Sequence, residues 1–150
     1  MPINILKLFL SITVCLGAGI ISSFFTFSAI PEWYQTLNKP FFSPPNFVFG
    51  PVWTILYILM GCSLYLVWTK RKVPTVFWVQ LFLNFIWSII FFGMKNPMLA
   101  FIDIIVLWVA IILTIKAFSK INKLAGQLLL PYLLWVSFAT ILNLSLVILN

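Results

Sequence analysis

The sequence predicts an all-α integral membrane protein, a five-transmembrane-helix bundle that uses residues 1–150 as one domain. Three observations predict it. First, the chain is 63% hydrophobic and 7% charged, whereas a soluble domain carries about a quarter charged residues. Second, five apolar runs at roughly 5–29, 46–68, 76–94, 98–118 and 127–149 each approach the ~20 residues needed to cross a hydrocarbon core. Third, the cations are unevenly shared. Lys7, Lys70, Arg71, Lys72, Lys116, Lys120 and Lys123 fall on one side, and Lys39 and Lys95 on the other. Positive residues stay cytoplasmic, which puts the N-terminus inside, and the first loop and C-terminus outside.

The same composition excludes several classes. Nine bases face two acids, Glu32 and Asp103, but they form no basic stripe or recognition motif for nucleic acid. Histidine is absent, which removes His metal sites, His-based triads and His ligation of haem. Cys15 and Cys62 lie within apolar runs and read as small packing residues, not as a disulfide or metal pair. No paired carboxylates, nucleophile beside a base, phosphate loop or metal-ligand spacing is present.

The first run is too long for a signal-peptide core and lacks an A-x-A-like cleavage site, so it reads as a span. Its small residues Cys15, Ala18, Gly19, Ser22, Ser23 and Thr26 favour close helix packing, with a cavity wall as the alternative. The connector at about 30–45 is stiff and aromatic. Residues 31–57 hold five of the nine prolines (Pro31, Pro40, Pro44, Pro45, Pro51), with Trp33 and Phe47 among the aromatics. Proline fixes φ and removes a donor, so this segment should fold back on the bundle as a lid, with Lys39 as its one clear cation.

Pro51 should bend the second span about one turn in. Beyond it Trp53, Tyr57, Gly61 and Tyr65 share a face, and Trp68 reads as an interfacial anchor. The third span aligns Gln80, Asn84, Trp87, Ser88 and Phe91. Its two amides need partners, supplied either by other helices or, for Asn84, by a ligand. Asn96 before Pro97 reads as a helix N-cap with proline at the first helical position. The fourth span carries Asp103 near its outer end, within reach of water or a hydroxyl. The fifth presents Trp135, Phe138, Ala139, Leu142 and Asn143 on one face. Trp135 is too deep for an interfacial belt, and its indole N–H should find a partner. Together Trp53 and Trp135 would line an aromatic slot.

The run WYQTLNKPFFSPPNFVFGPVWTILYILMG, followed by YLVW at 65–68, QLFLNFIWSIIFFG at 80–93 and LLPYLLWVSFATILN at 129–143, closely resembles the signature of the translocator protein family. These proteins are also called tryptophan-rich sensory proteins (TspO/peripheral benzodiazepine receptor). The resemblance implies a usually dimeric five-helix bundle with a ligand pocket near the end that the first loop covers. Its implied ligands are porphyrins, notably protoporphyrin IX, with sterols in animal members, and isoquinoline carboxamides or benzodiazepines. The pocket positions that match are Trp53, Asn84, Trp135 and Ala139. The two tryptophans also correspond to residues implicated in light-dependent porphyrin breakdown, which makes them the candidate catalytic residues.

The animal sterol motif's Tyr-Arg is missing here, although Leu59, Tyr65 and Lys70 satisfy the loose form of such a pattern. The short termini point to a bacterial cell membrane. The expected function is a receptor or sensor that binds a tetrapyrrole, or a sterol-like molecule, without a required cofactor or metal. The expected contacts are Trp53, Tyr57, Asn84, Trp87, Trp135, Phe138, Ala139 and Leu142, under a lid of Trp33, Lys39, Pro44, Pro45 and Phe47. Lys39 would pair with a propionate near water. The alternatives are a porphyrin-degrading protein and a transporter. Coupled transport tends to need paired intramembrane charges or broken repeats, which this chain lacks.

Overall fold

A computed structural model describes residues 2–150. It contains five apolar segments long enough to cross a membrane: Ile5–Glu32, Asn46–Trp68, Thr75–Gly93, Pro97–Ile121 and Lys123–Leu149. The helices are α1 (Ile5–Glu32), α2 (Phe49–Trp68), α3 (Thr75–Ser88), α4 (Pro97–Ile121), α5 (Lys123–Leu128) and α6 (Leu130–Leu149). Helix α1 packs on α2 and α3, α4 packs on α3 and α6, and α2 packs on α5. The spans are therefore ordered around the bundle as first, second, fifth, fourth, third.

Several boundaries depart from the sequence reading, each for a local reason. The Asn4 side chain caps α1 by accepting from Lys7 N at 3.1 Å. Pro31 lies in the last turn, where its missing N–H costs one bond, and the helix runs past residue 29 to Glu32. The connector therefore starts at Trp33. Pro51 does not put a bend one turn into a continuous helix. A 3-10 turn at Asn46–Val48 precedes α2, and Pro51 sits in the first turn of α2, where the N–H groups lack intrahelical acceptors anyway. The last span is broken at Leu129: Asn122 ends α4 and caps α5 by accepting from Ala125 N at 3.2 Å. Ser63 ties α5 to α2 by donating to Ala125 O at 2.7 Å. Asn96 does cap α4, accepting from Leu99 N at 3.0 Å with Pro97 first in the helix.

The half of the bundle away from the first loop is solidly filled. Met60, Leu64, Val67, Phe77, Leu107, Ile111, Phe118 and Leu129 are all buried there. Helices α1 and α2 come together closely, because a methyl on Gly61 would lie 2.6 Å from the Ile12 Cα. At that end Trp68 receives the Lys7 ammonium 5.1 Å from its ring centroid. Tyr65, placed by spacing on the Trp53 face, instead accepts from Asn4 N at 3.0 Å.

The connector folds back onto the opposite end of the bundle. Helix α3 continues as a π turn at Ile89–Gly93, which brings both Phe91 and Phe92 inward. Trp33 meets them edge-on at 5.5 and 6.5 Å, and Tyr34 lies 6.2 and 5.8 Å from the same rings. Asn38 and Asn150 clasp the loop to the end of α6. Asn38 N donates to Asn150 Oδ1 at 3.0 Å, Asn150 Nδ2 donates to Asn38 O at 3.0 Å, and Asn38 Nδ2 donates to Leu149 O at 3.3 Å.

Candidate functional site

Beneath the connector the helices diverge around a cavity of about 540 Å³, within the ~300–1,000 Å³ range of small-molecule sites. Its wall comes from the loop-side halves of α1, α2, α3 and α6, with no charged side chain among the described residues. Small residues open the space. Gly19, Ser22, Ser23 and Thr26 contribute on α1, Gly50 on α2 and Ala139 on α6. The stripe on α1, read as a packing surface first, is therefore also a cavity wall. Gly19 does both, since a methyl there would lie 2.6 Å from Tyr57 Cδ2.

The structure brings Trp53, Tyr57, Asn84, Trp87, Trp135, Phe138, Ala139 and Leu142 onto this one wall. Their roles differ in detail from the sequence reading. Asn84 is buried, and its amide joins neighbouring helices. Tyr57 Oη donates to Asn84 Oδ1 at 2.7 Å, and Asn84 Nδ2 donates to Tyr132 Oη at 2.6 Å. Tyr132 Oη then donates to Gln80 Oε1 at 2.9 Å, and Gln80 Nε2 reaches Met60 Sδ at 3.6 Å. This chain of buried polar groups closes the inner end of the cavity and uses both ends of the Asn84 amide. Of the two partners considered for Asn84, the helix neighbours are the ones in contact.

Trp53 and Trp135 do not stand apart as the sides of an open slot. Their rings touch edge to face, with centroids 6.5 Å apart at 89°. Trp53 also lies over Tyr57 at 5.7 Å and 30°, while Trp135 meets Phe49 at 6.2 Å and Phe138 at 5.4 Å. The result is a continuous aromatic wall. Contrary to expectation, the buried Trp135 Nε1 makes no hydrogen bond. Trp87 does find a partner: its Nε1 donates to Asn143 Oδ1 at 3.1 Å, and Asn143 Nδ2 donates to Pro97 O at 2.9 Å. Those two bonds join α3, α6 and α4.

The lid residues divide. Phe47 lines the cavity, but Trp33, Lys39, Pro44 and Pro45 do not. Trp33 is taken up by Phe91 and Phe92. The Lys39 ammonium rests 4.7 Å from the Tyr34 ring centroid. The connector's contributions to the wall are Tyr34, Asn46 and Phe47. Tyr34 was not singled out from the sequence, and neither was Phe49 at the start of α2. The Trp-Tyr pair at the connector's start was the available signal. Burial pushes the Tyr34 phenol pKa up and neighbouring Ser43 eases the rise, although neither hydroxyl completes a hydrogen bond.

Asp103 is 7% exposed, in the seam of α4 with Ala100, Ile104 and Leu107. Its Oδ2 is buried and has no hydrogen-bond partner among the described side chains. It is not part of the cavity wall.

The family model described as the TspO/MBR family matches residues 11–149. The chain is 48% identical over 152 residues to the tryptophan-rich protein TspO of Archaeoglobus fulgidus, covering 98% of this chain and 99% of that one. It is 41% identical over 120 residues to the translocator protein of Homo sapiens, covering 75% and 71%. Against the tryptophan-rich sensory protein of Cereibacter sphaeroides it is 38% identical over 122 residues, covering 79% and 77%.

Proposed function

This chain belongs to the TspO/MBR family, and on that premise we propose that it is a multi-pass membrane receptor for a planar, mostly apolar small molecule. Tetrapyrroles such as protoporphyrin IX are the leading candidates, with sterol-like molecules second. One observation carries this reading: a cavity of about 540 Å³ walled by Trp53, Trp87, Trp135, Phe91 and Phe138, without charge. Aromatic faces and edges suit a flat π system, since such contacts add about 0.5–1.5 kcal/mol each beyond area burial.

On this reading recognition rests on the aromatic wall more than on polar groups. The Asn84 amide is engaged by Tyr57 and Tyr132, and Trp135 Nε1 is itself buried. The chain contains no histidine, so metal-free porphyrin should bind at least as well as haem.

The test is quenching of tryptophan fluorescence by protoporphyrin IX, haem and cholesterol, titrated separately into protein in lipid nanodiscs. Saturable quenching by protoporphyrin IX, exceeded by no other ligand, is expected. Tenfold tighter haem binding with spectra of axial ligation would count against the proposal. A second reading, light-dependent porphyrin breakdown, draws on the direct Trp53–Trp135 contact. On illumination with protoporphyrin IX, loss of product with retained binding in Trp53→Phe or Trp135→Phe would favour it. Unchanged bleaching in both variants would dismiss it.

A further inference from the structure

We propose that the cavity opens sideways, through a slit between the loop-side halves of α1 and α2, and that its ligand enters from the acyl-chain region of the bilayer. The proposal rests on the receptor reading and adds the route and the class of ligand: one dissolved in the membrane, not in water.

Two stripes at helical spacing border the slit. Ile20, Ser23 and Phe27 lie on α1, and Phe47, Gly50 and Thr54 lie along the start of the second span, spaced i, i+3, i+7 on both sides. These residues line the cavity, yet several also face outward. Ile20 is 58% exposed, Phe27 71% and Phe47 78%, and Gly50 and Thr54 are exposed as well. A side chain that both walls a cavity and faces the bilayer marks where the cavity meets the lipid. From Ile20 to Phe27 the opening runs about 10 Å along α1, at ~1.5 Å per residue.

The slit has a definite lower end. At Gly19–Tyr57 and Gly61–Ile12 the two helices are too close for an added methyl. Above that point the cavity-lining residues of both helices include exposed ones. The rim suits a lipid-soluble molecule, because its hydroxyl donors are spent on their own helices. Ser23 Oγ donates to Ile20 O at 2.6 Å, and Thr54 Oγ1 donates to Gly50 O at 2.8 Å. An apolar ligand edge passes such a rim without stripping water from it.

The other two exits are closed. The Tyr57–Asn84–Tyr132–Gln80 chain and the filled core below it block the inner end. At the loop end, the Asn38–Asn150 clasp and the docking of Trp33 and Tyr34 onto Phe91 and Phe92 hold the connector down.

Gly50→Phe tests the slit. A Cβ at Gly50 meets nothing within 4 Å, and its φ is not positive, so the ring can be added without backbone strain. Stopped-flow quenching by protoporphyrin IX in nanodiscs should show both association and dissociation slowed by about tenfold. Asn38→Ala, which loosens the clasp, should change neither rate. Wild-type rates in Gly50→Phe, or faster binding in Asn38→Ala, would overturn the lateral route. Thr54→Phe serves as the second blocking variant should Gly50→Phe fail to fold.

A ligand-free measurement separates this proposal from the receptor reading. Mid-chain brominated phospholipid should quench the part of the emission that Trp53→Phe removes, and Gly50→Phe should protect it. An unquenched Trp53 would overturn the slit whether or not porphyrin binds. Quenching of Trp53 without saturable porphyrin binding would support the slit and reject the porphyrin.

Discussion

Replacing Gly19 by alanine tests how the cavity's inner end is held. The added methyl would press on Tyr57 Cε2 and lie 2.6 Å from Cδ2 and 3.0 Å from Cζ. Carbon atoms in contact sit at about 3.5–4.0 Å, so the ring must retreat by about 1 Å. It has little freedom to do so. Tyr57 is 6% exposed, its hydroxyl is held 2.7 Å from Asn84 Oδ1, and Trp53 covers it at 5.7 Å. Overpacking of this kind costs about 1–3 kcal/mol, and stretching the hydrogen bond adds about 1 kcal/mol. Gly19→Ala should therefore lose about 2–4 kcal/mol. The assay is SDS titration of protein in mild-detergent micelles, followed by far-ultraviolet circular dichroism. In a Tyr57→Leu background the obstructing ring is gone, and the alanine should cost less than about 0.5 kcal/mol, because its helix propensity exceeds that of glycine. The two changes should thus be coupled by about 2 kcal/mol. Equal cost of Gly19→Ala in both backgrounds would refute the clamp.

Three further outcomes are expected. Gly61→Ala should destabilise by about 2–4 kcal/mol, because its methyl meets the Ile12 backbone, which cannot rotate aside, whereas Gly17→Ala, with nothing within 4 Å, should gain about 0.5–1 kcal/mol. The same SDS titration measures both, and similar values for the two would contradict the packing described. Asp103→Leu should raise stability by about 1–2 kcal/mol, since a carboxylate in a span is costly and Asp103 Oδ2 has no partner; a loss of more than 1 kcal/mol would mean that the acid holds a stabilising contact. Asn150→Ala removes two of the three clasp bonds, so amide exchange across residues 33–45 should accelerate by about tenfold, and unchanged exchange would show that the aromatic docking alone holds the connector.

Sequence legibility followed the physics of each feature. Span number and the Asn96–Pro97 helix start could be read because hydrocarbon thickness and capping are local constraints. The wall residues Trp53, Tyr57, Asn84, Trp135 and Ala139 could be placed on shared faces by helical spacing, and the structure gathers them around one cavity. What spacing cannot say is whom a polar group meets. Asn84 is held by two tyrosines from other helices, one of them Tyr132, and nothing along α3 indicates this. The same limit applies to Lys39, whose place over Tyr34 depends on how the connector folds back. The π turn that brings both Phe91 and Phe92 inward shifts the helical register by one residue, so periodicity from Gln80 could not assign both rings to the interior. The sequence puts Pro31 in the stiff connector and a bend at Pro51, yet each lies in a terminal turn where a missing N–H matters little.

The central claim is that a planar porphyrin occupies the aromatic cavity itself, not the surrounding lipid or the bundle's surface. Ala139→Phe tests it most directly, because Ala139 lines the cavity from α6 and a ring there takes up the space the ligand needs. Tryptophan quenching by protoporphyrin IX in nanodiscs should saturate at one ligand per chain in the wild-type protein and disappear in Ala139→Phe, while the variant's SDS unfolding transition confirms that it is folded. Equal affinity in the two proteins would place the porphyrin outside the cavity and contradict the account.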